Sequence, residues 1–466
     1  MKTDRRHFLK TASIAGIALA GNRLVNSEGT NPVTENQARD HHFNMCGYAA
    51  PKLETVRIGF VGLGNRGPSH VADMTRIEGV EIMALCDLRP EKANAAKKML
   101  EGTPHNPEVY SSGVEDWKKL CERPDIDVIY IATPWSLHTP IAVYAMNNGK
   151  HAFTEVPAAK TLDECWQLVE TSERTRKYCM ILENCCYDFF ELLTLNLARQ
   201  GMLGDIIHGE GAYIHDLLEG NFSKEKYYDM WRLKENFRNG NLYPTHGLGP
   251  VAQVMNINRG ARLEYLTSMQ SKDFMMGKMA DELAAKDDFY KPFAGKTYRG
   301  NMNTTVIYTD KGLTINLQHD VTSPNVYSRV YKISGTKGAA LKYPLPGKFS
   351  IAGKEDWMSE QTSHDLQEKY TPDIVTRVGE MAKKVGGHGG MDFLMNWRTI
   401  DCLRNSLPLD IDVYDAATWS SIAPLTESSV ANHSKLITVP DFTSGSWKTN
   451  HPVDNTLQNA GTTKVI

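Results

Sequence analysis

Thr55-Val56-Arg57-Ile58-Gly59-Phe60-Val61-Gly62-Leu63-Gly64-Asn65-Arg66-Gly67 is the stretch whose reading decides the fold. An apolar run of strand length breaks directly into Gly-x-Gly-x-x-Gly, and the residues that follow, Ser69 to Gly79, have helical spacing. A second apolar run, Glu81 to Asp87, closes the unit and sets Asp87 20 residues after Gly67. Gly62, Gly64 and Gly67 permit a tight turn and the close approach of a pyrophosphate. The helix start offers free N–H groups, and a strand-end carboxylate can bond a ribose hydroxyl. A dinucleotide site is expected. Asp87 would repel a 2′-phosphate, which favours NAD over NADP, with Arg89 as the one neighbour arguing the other way.

The same alternation continues downstream. A helix is expected from Pro90 to about Gly102, another near Glu115–Glu122, then a buried strand at 127–132. That strand runs into Thr133-Pro134-Trp135-Ser136-Leu137-His138, at the sheet edge where ligands of doubly wound α/β folds sit, so Trp135 and His138 are expected against the cofactor. Lys150–Pro157 reads as the next strand, Thr161-Leu162-Asp163-Glu164 as a capping box, and Cys179–Asn184 as a strand delivering Glu183 and Asn184 to the same edge.

Upstream, Arg5 and Arg6 lie in a basic segment ahead of an apolar stretch, Ala12 to Gly21, that is too short to span a bilayer. This is expected to be a removable twin-arginine signal over residues 1–30, followed by a linker over 31–54. The twin-arginine route moves folded proteins, so a cofactor can be loaded before export, and a periplasmic location is expected. An exported dinucleotide enzyme cannot easily exchange NADH for NAD. Its chemistry should therefore return the cofactor to its starting state in each turnover.

A net charge of -3 and a pI of ≈ 6.6 provide no basic field for nucleic acid, which leaves a small molecule or glycan as the expected partner. No later stretch approaches ~20 consecutive apolar residues, so the mature chain is expected to have no membrane span. The eight cysteines show neither metal-ligand spacing nor a disulfide framework, and they read as buried free thiols with no metal site. A homo-oligomer is left open.

At Gly62–Gly67, Ile131–His138, His151–Pro157 and Ile181–Tyr187 the sequence resembles the glucose-fructose oxidoreductase/inositol dehydrogenase/MocA family. That resemblance implies an α/β fold with an N-terminal Rossmann domain, placed at 55–184, and a C-terminal α/β domain with an open, largely antiparallel sheet, placed at 185–450, before a tail over 451–466. Dehydrogenases of this family usually carry Glu-Lys-Pro where this chain has Glu155-Val156-Pro157, so the lysine that assists hydride transfer from an alcohol is missing. Residues 230–260, 386–393 and 409–429 are similar to glycoside hydrolase family 109, the NAD-dependent α-N-acetylgalactosaminidases, with Tyr243-Pro244-Thr245-His246-Gly247 the most specific stretch.

The resemblance implies cofactor contacts at Asn65, Arg66, Asp87, Trp135, Ser136, Leu137, His138, Glu155, Val156 and Asn184. It implies substrate contacts at Tyr213, Arg232, Tyr243, Pro244, Thr245, His246 and Tyr327. It also implies a route in which NAD takes hydride from carbon-3 of the sugar. The carbon-2 proton, now acidic, is removed, the glycosidic oxygen is eliminated, water adds, and the hydride returns. Such a route asks for a base with a pKa near neutrality and for groups that stabilise an enolate. His246 is the leading candidate for the base, Tyr187 and Tyr327 stand beside it, and Glu155 is expected to hold the nicotinamide or relay a proton. Two other readings stay open: an exported NAD(P)-dependent sugar oxidoreductase, and a glycan-binding homologue without turnover.

Overall fold

The computed structural model describes residues 43–466 except 354, 453–456 and 458–460, so the expected signal and the first part of the linker lie outside the described residues. The chain divides into two units, Met1–Gln37 and Ala38–Ile466, and both sheets belong to the second. The first sheet is parallel. Its strands are β1 (Val56–Val61), β2 (Val80–Cys86), β3 (Glu108–Tyr110), β4 (Val128–Ile131), β5 (His151–Thr154) and β6 (Cys179–Ile181), in the order β3-β2-β1-β4-β5-β6. The order reverses between β1 and β4, and a doubly wound sheet opens its ligand crevice at the carboxyl ends of the strands flanking such a reversal. Helices fall where the sequence predicts them, at Gly67–Met74, Pro90–Lys98, Asp116–Glu122 and Leu162–Thr175, and a further one spans His138–Asn147. The helix Leu162–Thr175 starts with the predicted capping box, Thr161 accepting from Glu164 N while the Glu164 carboxylate accepts from Thr161 N.

The second sheet has eight strands: β7 (Ile206–Ile214), β8 (Leu263–Gln270), β9 (Asn303–Thr309), β10 (Thr314–Asp320), β11 (Lys332–Gly335), β12 (Gly338–Leu341), β13 (Lys348–Ile351) and β14 (Ile437–Thr438), in the order β13-β12-β11-β7-β10-β9-β8-β14. β7 and β10 run parallel and the remaining pairs antiparallel, which gives the open, largely antiparallel sheet expected.

One hydrophobic core runs through both halves. The helices Met391–Asn405 and Val413–Ala431 bridge them, with Trp397 and Trp419 fully buried, and Val413–Ala431 packs on both the helix Leu162–Thr175 and β8. All eight cysteines are free, and all but Cys46 are buried. Among the described residues no helix is long and apolar enough to cross a membrane.

The described parts of the expected linker and tail are docked on the core. Within the expected linker, Met45 and Ala50 are buried and their amides donate to the Tyr414 and Tyr178 hydroxyls, which answers the backbone's need for partners inside the core. In the expected tail, Ile77 bridges Val465, Thr463 N donates to Asp401 Oδ1 and Ile466 N to Arg76 O, so the end of the chain is fastened to the first sheet's side of the molecule.

Candidate active site

A cavity of ≈ 610 Å³ opens at the β1/β4 reversal, lined by the glycine loop, the β4 loop and residues of the second half of the chain. The three loop glycines have separate duties. Gly62 has φ +93 and a Cβ there would lie 2.5 Å from Ala132 O, while a Cβ on Gly67 would lie 2.0 Å from Gly62 O, so these two close the turn and seat the helix. A Cβ on Gly64 would meet only the end of Arg89, at 3.1 Å, and this glycine faces the cavity. That division suits a dinucleotide: two glycines shape the turn and one leaves space for the pyrophosphate.

Asp87 is buried at the end of β2. Its Oδ2 accepts from Leu63 N at 2.8 Å, and its Oδ1 from Arg89 N at 2.9 Å and Arg89 Nε at 3.2 Å. It therefore holds the glycine loop closed as well as facing the cavity. Arg66 donates to Glu155 Oε1 at 3.1 Å and to Asp392 Oδ2 at 2.9 Å, and Asn184 donates to Asp392 Oδ1 at 2.5 Å. His388, half exposed on the cavity wall, bonds Asp392 Oδ2, the oxygen that Arg66 also binds, through Nδ1 at 2.8 Å. Burial works against ionising Asp392, but His388 and Arg66 outweigh it and hold its carboxyl well below the usual range.

The basic group of the cavity comes from the second half of the chain. His246, in the first turn of the helix Thr245–Val254, sets Nδ1 2.7 Å from Glu183 Oε1. Burial resists the charge of Glu183 and His246 outweighs it, which keeps the carboxyl below its ordinary value. An ionised carboxylate can only accept, so Nδ1 carries the proton and Nε2 is left as the basic nitrogen. Tyr213, Tyr243 and Trp135 form an aromatic wall beside it: Tyr213 and Tyr243 stand edge-on to His246 at 5.2 and 4.9 Å, and Trp135 stacks on Tyr243 at 5.7 Å. Over that wall the Arg232 guanidinium lies 5.5 Å from Trp135, 5.4 Å from Tyr227 and 5.3 Å from Tyr243, a cation held on three ring faces.

Of the predicted residues, Gly62, Gly64, Asn65, Arg66, Asp87, Trp135, Ser136, Leu137, His138, Glu155, Val156, Asn184, Tyr213, Arg232, Tyr243 and His246 line this one cavity. Others are placed differently. Tyr187, expected beside the sugar, is fully buried and donates to Asp410 Oδ2 at 3.2 Å, where Arg398 also binds, so it packs the interior instead. Tyr327 stands one ring behind the wall, edge-on to Tyr213 at 6.4 Å, its hydroxyl accepting from Arg329 at 3.3 Å. Pro244 and Thr245 form the start of the His246 helix and do not line the cavity. The His138 ring is buried between the carbonyls of Pro157 at 2.7 Å and Thr133 at 2.8 Å, which makes it chiefly a tie between the loops after β4 and β5.

Glu155, expected to hold the nicotinamide or relay a proton, is bound by Arg66 and His70. Burial would raise its pKa, but Arg66 and His70, the latter 2.8 Å away, hold it down at about 2. Asp412 and Asp415 grip the buried Arg259. Glu183, Cys185 and His246 bring a carboxylate, a thiol and an imidazole within 4.8 Å of one another, but the His246–Glu183 contact is a direct hydrogen bond, so the group reads as a dyad.

Sequence reasoning delivered Glu183 to the right edge and gave it no role. Its place at the carboxyl end of β6, one residue before Asn184, was the available signal. His70, Asp392 and Tyr228 were also given no role; Glu155, Arg66 and Arg89, with which they pair, lie far along the chain.

Residues 187–449 match the family model "Glycosyl hydrolase 109, C-terminal domain", and residues 56–182 match "Oxidoreductase family, NAD-binding Rossmann fold". Glycosyl hydrolase family 109 protein 1 of Phocaeicola vulgatus is 46% identical over 433 residues, covering 89% of each chain. The family 109 protein of Shewanella pealeana is 43% identical over 463 residues, 97% of this chain and 99% of that one. Among solved structures, levoglucosan dehydrogenase in complex with NADH superposes with a TM-score of 0.62 at 17% identity, over 83% of this chain and 100% of that chain. Aldose-aldose oxidoreductase from Caulobacter crescentus gives 0.57 at 16%, over 82% and 99%. At such identities the likeness is one of fold. The N-terminal half is an NAD-binding Rossmann domain, and NAD is its cofactor.

Proposed function

The chain belongs to glycosyl hydrolase family 109, and from that premise we propose that it removes terminal α-linked N-acetylgalactosamine from glycans by transient oxidation of the sugar. The observation that supports this reading is that His246, held from behind by the buried Glu183, lines the same cavity as the glycine loop. An ordinary glycosidase needs two free carboxyl groups flanking the scissile bond. The carboxylates lining this cavity are Asp87, Glu155 and Asp229, and each is engaged by a cation: Arg89, Arg66 and Lys234.

Bound NAD supplies a reversible two-electron oxidation at a sugar carbon. The protein's part is proton traffic and placement. Glu183 fixes the ring of His246 so that Nε2 takes the proton from the carbon beside the new ketone, and the carboxylate steadies the imidazolium that forms. The glycosidic oxygen then leaves by elimination, taking up the proton held on His246; water adds its hydroxyl to the enone and passes its own proton to the freed imidazole, and His246 delivers that solvent-derived proton to the same carbon. Tyr213 and Arg232 offer an aromatic face and planar donors to the sugar's hydroxyl and acetamido groups. Val156, where the related dehydrogenases carry lysine, supports the hydrolytic over the oxidative outcome, and Arg5-Arg6 support export of the folded, loaded protein to the periplasm.

Purified protein with p-nitrophenyl α-N-acetylgalactosaminide and no added cofactor should release nitrophenol with no lasting NADH absorbance. His246→Ala should keep the fold and bound NAD and lose at least roughly a hundredfold in rate, the usual worth of a general base. Stoichiometric NADH with a keto-sugar would favour a sugar oxidoreductase. A His246→Ala protein that hydrolyses normally would remove the dyad from the mechanism.

A further inference from the structure

We propose that residues 223–231, from the C-terminal half of the chain, form a clasp over the dinucleotide, with Tyr228 closing the adenosine end and Lys226 the diphosphate. The segment crosses the crevice and meets three separate loops of the Rossmann sheet. Asn65 of the glycine loop donates to the Lys226 carbonyl at 3.0 Å; Arg89, after β2, lies 5.4 Å from the Tyr228 ring; Trp135, after β4, meets Trp231 edge-on at 5.4 Å. Both ends are rooted. Phe222 and Met230 are buried in a satellite core with Leu233, Met276 and Tyr290, and the turn between crest and root runs through two left-handed residues, Asp229 and Met230, each at φ 52.

At the crest Tyr227 is buried against Trp231 and Arg232, while its neighbour Tyr228 turns outward along the cavity lining. Tyr228 is 49% exposed, and beside Asp87 and Arg89 the cavity is lined by two further exposed apolar side chains, Leu88 at 42% and Val114 at 72%. A flat heteroaromatic ring with a ribose on Asp87 is the group that such a slot covers. Lys226, exposed on the same lining, sets its ammonium 5.7 Å from the Tyr227 ring and pairs with no carboxylate among the described residues, so a diphosphate lying over Gly64 would provide its counter-charge. A clasp tied to the glycine loop, the adenosine slot and Trp135 leaves NAD no exit until the segment lifts. This rests on NAD binding alone and not on which bond is cleaved, so its failure and that of the glycosidase reading are distinguishable.

Holoenzyme cleared of free NAD by gel filtration would be chased with excess isotopically labelled NAD, and the unlabelled nucleotide remaining per chain measured after denaturation. Tyr228→Ala should exchange its NAD roughly fivefold faster or more, the worth of one lost cation–π and stacking contact. Lys226→Ala should also exchange faster, and Tyr228→Phe should stay near the parent rate. Exchange at the parent rate in a folded Tyr228→Ala would overturn the clasp. A second readout needs no variant: amide hydrogen exchange of residues 223–231 should slow in the NAD-loaded parent relative to NAD-stripped protein, and equal exchange in the two would equally overturn it.

Discussion

At Glu155, burial and charge pull in opposite directions, and charge prevails. Arg66 and His70 hold the carboxyl at about 2 against the ordinary 4.5, so the folded state binds its proton less tightly than the unfolded chain does. The stability this provides is present in full above pH 4.5 and is lost as pH falls toward 2; it amounts to about 3 kcal/mol near neutrality. Parent protein and Glu155→Gln, compared by denaturant unfolding from pH 7 to pH 3, should differ most at pH 7 and converge steadily below pH 4.5; a constant gap would mean that the carboxylate's charge is not what matters. The individual site residues were legible to differing degrees. His246, Tyr213 and Arg232 stand in stretches with a recognisable pattern. Tyr187 and Tyr327 shared that context and were misplaced, because nothing in a local stretch says which side of a strand or helix end a ring will take. Glu183 acquires its meaning only from a partner 63 residues away, and the Arg66–Asp392 pair spans 326.

Among the elements, the glycine loop carries the clearest division of labour, and it can be separated by substitution. Gly67→Ala would place a methyl 2.0 Å from the Gly62 carbonyl, a clash with backbone that cannot swing away, and should cost about 3 kcal/mol or more of stability. Gly64→Ala meets only the mobile end of Arg89, so the NAD-free protein should melt close to the parent while bound NAD, measured after denaturation, falls. Equal melting temperatures for the two variants would show that the turn is not packed as described. The strands and helices of this half were readable because period and glycine spacing are local properties. The docked linker, the fastened C-terminus and the crossing segment at 223–231 were not, since each is held by tertiary partners and none has a repeating apolar pattern.

For the whole molecule, two sheets share one core, and the crevice of the first is walled by side chains of the second half. The glycine loop and His246 thereby line a single chamber, which on the proposed function would let oxidation, proton removal and re-reduction proceed on one bound sugar without release. The direct measurement of that cycle is hydrolysis of an α-N-acetylgalactosaminide in deuterium oxide, with mass spectrometry and proton NMR of the released monosaccharide. The account predicts deuterium bonded to carbon-2 of a fully reduced sugar, with no net NADH; a product carrying only its original carbon-2 hydrogen would contradict it.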